Sequence, residues 1–149
     1  MQDIHSHTTS TRKLELFLAV LGTAVCLMVS VRIWQVFSAQ QPMWPLPDLY
    51  LLEMLAASVL GLWCLWSTGS RESSVRGILV WVVVGILFAF VIIGAWTVGF
   101  LFIPVAILFI LAAVLFDLRQ GYNLVVHGCV GLAAALAQAA LMLTVIRFL

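Results

Sequence analysis

Between Arg76 and Asp117 the chain has no charged side chain, a stretch of about 40 residues read as one apolar run. As a single helix rising 1.5 Å per residue it would be roughly 60 Å long, twice the ~30 Å thickness of a bilayer's hydrocarbon core. It must therefore fold back, and the solvent that accepts both halves is lipid. Composition agrees: of 149 residues, 64% are apolar and 9% are charged, with a mean hydropathy of +1.20. A soluble domain uses about 25% charged residues to cover its surface. In hydrocarbon each segment must satisfy its own backbone. The fold class expected is thus all-α, a polytopic transmembrane helical bundle.

Breaks in the apolar pattern divide the chain into five spans. The first runs from Leu14 to Phe37 after a polar tail, residues 1–13. Leu14 to Val31 is long for a secretory signal, and no small-x-small site follows, so this helix is read as retained. Ser38 to Pro47 contains three prolines and ends it. Asp48 is a suitable N-cap for the second span, Asp48 to Trp66. The polar run Ser67 to Arg76 is a loop. The long apolar run turns at Gly94 to Gly99, giving spans over 77–95 and 100–116, with Pro104 near the start of the fourth, where its missing N–H costs little. Asp117 to Gly121 reads as a short turn, and the last span covers Tyr122 to Arg147. The alternative is four spans with 100–116 as a re-entrant segment. Residues 14–149 form one transmembrane domain in either case.

Orientation follows from the basic residues. Arg12, Lys13, Arg71, Arg76 and Arg119 fall on one side, whereas the loop Ser38 to Pro47 has no Lys or Arg. The positive-inside rule places the N-terminus in the cytoplasm and the C-terminus outside. Trp34, Trp44, Tyr50 and Trp96 then mark one interface, and Trp63, Trp66, Trp81 and Tyr122 the other. Short loops and this charge bias point to a bacterial plasma membrane, the cell inner membrane.

Ionisable groups inside a span need a reason. Arg32 and Glu53 lie at similar depth on consecutive spans and are expected to form an intramembrane ion pair. Glu53, Ala57, Gly61 and Cys64 share one helix face, and small residues there mark close helix packing. On the last span His127, Gly131, Ala135 and Gln138 share a face, with Gly131, Ala135 and Ala139 in small-xxx-small spacing. His127 is expected to make an interhelical hydrogen bond. The other reading makes it a cofactor-binding ligand to a haem or other tetrapyrrole, since neighbouring glycines leave room for a macrocycle. A bis-histidine haem would need a second ligand from another chain. Cys26, Cys64 and Cys129 lie in apolar runs without metal-ligand spacing and read as packing residues, so no metal site is expected.

These residues exclude several function classes. The net charge is +1, and no basic patch with interleaved aromatics suggests nucleic acid. No Ser-Lys or Ser-His dyad, paired aspartates or HExxH motif supplies a nucleophile and base, so no catalytic residues are assigned and no enzyme is expected. No repeat suggests the inverted symmetry of secondary transporters. The function expected is an accessory or scaffold subunit. Its partners are the lipid bilayer and other transmembrane subunits, or further copies of itself. The alternatives are a small transporter or channel component using Glu53 and Arg32, and a pigment- or haem-carrying subunit through His127.

Overall fold

The computed structural model describes residues 3–38, 46–67, 74–94 and 98–148. Five helices follow one another: α1 Asp3–Ser38, α2 Leu46–Trp66, α3 Ser74–Ile93, α4 Ile103–Gln120 and α5 Leu124–Phe148. A 3-10 turn, Gly99–Phe102, leads into α4. All five helices are long and apolar enough to cross a membrane, and the described residues contain no strand. The chain is an all-α bundle. The apolar segment Gly99–Gln120 is 22 residues long, a full crossing length, so the re-entrant alternative falls away.

Three boundaries differ from the sequence reading, each for a local reason. Helix α1 begins at Asp3 and is continuous through the polar tail, because neither Pro nor Gly interrupts the chain before Gly22. Asp117–Gln120 is the last turn of α4 and not a loop. The break falls at Gly121, whose φ of 70° is the left-handed conformation that glycine adopts without penalty. The Asp117 carbonyl accepts the backbone N–H groups of Gly121 and Tyr122 there. Helix α5 starts at Leu124 and not Tyr122, because the Asn123 side chain accepts the N–H groups of Val125 and Val126 as an N-cap.

The core forms where small residues admit large ones. The inward face of α1 is Glu15, Ala19, Gly22, Cys26, Ser30 and Ile33, all buried, at the 3.6-residue helical repeat. Opposite it, the fully buried Phe109 of α4 inserts between α1 and α2. A Cβ on Gly22 would stand 3.0 Å from this ring, and one on Gly61 would stand 2.7 Å from it. Helices α1 and α2 run antiparallel: Thr23 Oγ1 donates to the Ala19 carbonyl at 2.9 Å and faces the Ser58 carbonyl at 3.4 Å, while Cys26 Sγ lies 3.7 Å from the Met54 carbonyl. Tyr50 of α2 donates to the Phe90 carbonyl of α3 at 3.0 Å and meets the Phe90 ring edge-on.

Helix α5 stands apart from this core. It rests on α3 and touches α4 only lightly. Only 11% of its membrane-crossing stretch is buried, against 28% to 50% for the other four. Helices α3 and α5 are parallel and closest at two glycines. A Cβ on Gly85 would fall 2.1 Å from the Gly131 carbonyl oxygen and 3.0 Å from the Ala135 nitrogen. Both obstacles are backbone and cannot rotate aside. Gly85→Ala is therefore expected to force α5 off α3 and to cost about 2 kcal/mol or more in unfolding assays in detergent. Gly128→Ala, where no atom lies within 4 Å of the added Cβ, is expected to change stability by less than ~0.5 kcal/mol. Equal effects from the two would show that this crossing does not hold α5.

Candidate functional site

One end of the bundle gathers the start of α1, the end of α2, the start of α3 and the α4–α5 turn. Arg12, Lys13, Arg76 and Arg119 all belong to this basic end. Two carboxylates are buried there, Glu15 at 2% exposure and Asp117 at 0%. Buried carboxylates in an apolar surround require counter-charge or donors, and the last turn of α4 is where each meets its partner.

Arg119 reaches α1. Its Nε and Nη2 donate to the two Glu15 oxygens at 2.7 and 3.0 Å, a bidentate fork that satisfies the carboxylate's charge and geometry together. Its guanidinium also lies 5.6 Å from the centre of the Phe116 ring. Asp117 reaches the other way. Residues two apart on a helix differ by about 200° in direction, so Asp117 faces α3 and α5. Trp81 Nε1 donates to its Oδ2 at 2.8 Å, and His127 Nδ1 lies 2.9 Å from its Oδ1. Three helices thus meet at one carboxylate. Tyr122 flanks the imidazole, with ring centres 5.2 Å apart. A Cβ on Gly77 would stand 2.9 Å from the imidazole edge.

The residues singled out by sequence fall in different places. His127 is 7% exposed and makes an interhelical contact, with Asp117. Its surroundings are Gly77, Trp81, Asp117 and Tyr122. Gly131 and Ala135 are buried against α3, and Ala139 is half-buried. On α2, Ala57 and Gly61 are buried, and Glu53 and Cys64 are half-buried. Arg32 is exposed on the outer surface of α1, beside Gln35 and Met28 in a shallow groove. The ion pairs among the described residues are Glu15–Arg119 and Asp117–His127. Arg32 and Glu53 are not brought together, because Arg32 lies about 100° around α1 from the buried Ile33. Trp81 turns inward to Asp117, whereas Trp34, Trp63 and Trp66 are exposed. Trp44, Trp96 and Arg71 lie outside the described residues.

Glu15, Asp117 and Arg119 escaped the sequence reading because each stands beside a span boundary, where charges are ordinarily solvated. One signal was available. Glu15 continues the small-residue stripe of α1 at i, i+4, i+7 and i+11, which points it inward.

The α5 face opposite Gly131 and Ala135 carries Cys129, Ala133, Ala137, Ala140 and Thr144, all exposed. Their spacing is 4, 4, 3 and 4 residues, so they form one stripe along the helix. Larger exposed side chains, Leu132, Leu136 and Leu141, flank it. Small residues in this pattern let a second helix approach closely.

The burial contrast gives a direct test of which charges matter. Glu15→Gln leaves the half-buried Arg119 charge without its counter-ion, and is expected to lower unfolding stability in detergent by roughly 2 kcal/mol. Arg32→Gln is expected to leave it unchanged, and thermal melts of both variants check the pair. The reverse pattern would restore the Arg32–Glu53 assignment.

No protein-family model, curated protein or solved structure matches this chain.

Proposed function

We propose that this chain is a non-enzymatic subunit of a plasma-membrane assembly, working by helix–helix association through the outward face of α5. The observation that carries the reading is the asymmetry of α5. One face is fixed to α3 at Gly85 and Gly131. The other presents an exposed stripe of small residues. Facing lipid alone, such a stripe gives poor van der Waals contact; facing another helix, it gives close backbone approach. The little polypeptide outside the spans is consistent with a protein whose working surface lies within the bilayer.

The occupant is a transmembrane helix of another subunit or of a further copy of this chain. The cytoplasmic side of the assembly is the basic end, by the bias of Arg12, Lys13, Arg76 and Arg119. A bacterial plasma membrane is the setting proposed.

Association is tested by native mass spectrometry of tagged protein extracted gently from its own membrane. Wild type is expected to carry extra polypeptide mass, either a partner chain or a second copy. Ala133→Leu combined with Ala137→Leu fills the stripe and is expected to weaken association at least tenfold, about 1.4 kcal/mol. The helices should remain folded, because both positions face away from α3. A bare wild-type monomer, or undiminished association in the double variant, would refute the assignment of this face.

A further inference from the structure

The joint at Trp81, Asp117 and His127 is the one polar attachment of α5 to the rest of the bundle among the described residues. Its geometry points to a proton-operated latch: a single proton on the Asp117–His127 pair holds the basic end of α5 against α3 and α4, and loss of that proton releases it.

The Asp117 side chain is buried, yet it occupies the last turn of α4, at the negative end of the helix dipole. Away from water, its oxygens depend on donors from the protein. The two donors aimed at it are unequal. Trp81 Nε1–H is always neutral. His127 can carry a positive charge, and with it the pair becomes an ion pair of zero net charge. Take the proton from the imidazole and both oxygens still have donors, but the buried negative charge is uncompensated. Relief comes from admitting water, and the joint can open to do so. Helix α5 hardly touches α4, and Gly121, left-handed and with open space around its Cα, begins the short connection between them.

The charged and titratable groups facing His127 are few. Helix α4 presents Asp117, and the turn presents Tyr122; α3 presents Trp81 and Gly77. Arg119 is held by Glu15 on the opposite side of α4. The pair's proton is therefore the charge that changes in this pocket. The sign follows: the latch is closed when the pair holds its proton and opens as pH rises. This inference concerns how α5 is held and not what covers its outward face, and its readout needs no partner chain.

The test is a distance measured by spin labels in lipid nanodiscs between pH 5 and 9. Labels at Val75→Cys and Val125→Cys report the basic end. Labels at Ile92→Cys and Leu143→Cys report the far end. All four sites are exposed, and Cys26, Cys64 and Cys129 are replaced by alanine. The basic-end distance is expected to lengthen with rising pH by on the order of a helix radius, roughly 5 Å, while the far-end distance stays fixed. His127→Gln should be open at every pH, and Asp117→Asn should abolish opening on the alkaline side. If the cysteine-free chain does not fold, a benzophenone residue in place of Leu124, which lies seven residues before Gly131 on the α3 side of α5, should lose its crosslink to α3 in the native-cysteine chain as pH rises. A basic-end contact that is constant across the range, or a pH response unaltered by His127→Gln, would overturn the latch.

Discussion

A carboxylate taken out of water has to find its counter-charge inside the protein, and in this bundle two of them do so on one helical turn. Asp117 and Arg119 stand two residues apart at the end of α4, on opposite sides of the helix. Arg119 turns to α1 and meets Glu15. Asp117 turns to α3 and α5 and meets Trp81 and His127. Helices separated by as much as 104 positions in sequence are tied through this turn. Hydrophobic burial cannot sort helices whose surroundings are as apolar as their interfaces. Paired charges can, since a misplaced partner leaves a bare charge in a poor solvent.

The turn also explains why α4 ends where it does. Gly121 takes the left-handed conformation and stops the helix immediately beyond the charged pair, and Asn123 restarts the chain as α5. A longer α4 would carry Tyr122 past the joint and move His127 away from Asp117. The glycine crossing of Gly85 and Gly131 then sets how closely α5 lies on α3. Two different forces thus fix α5, electrostatic at one end and steric at mid-length, and both act on a single face. That leaves the opposite face exposed from Cys129 to Thr144.

Much of the architecture was legible in the sequence because apolar run length is a direct measure of membrane crossing. The fold-back near Gly94 to Gly99 follows from length alone. The ends of α4 and α5 were less legible. A charged run closing on glycine resembles a loop, yet Asp117–Gln120 is helical because its charges are satisfied by partners distant in sequence. The Arg32–Glu53 expectation counted depth along each helix separately, but α1 and α2 pack with Cys26 beside Met54, which sets Glu53 opposite Leu27, about five residues from Arg32. Direction follows from the buried stripe of α1, from Glu15 to Ile33, which leaves Arg32 outside. No pattern within α4 itself signals that Arg119 will find Glu15, since that contact depends on how α1 and α4 pack.

If the last turn of α4 organises the bundle through paired charges, exchanging the charges of one pair must show it. Glu15→Arg and Arg119→Glu are made singly and together, and thermal unfolding is followed in detergent. Each single variant, with two like charges in one site, is expected to be strongly destabilised, and the double variant to recover most of the loss. Single variants that melt like wild type, or a double variant no better than either single, would contradict it.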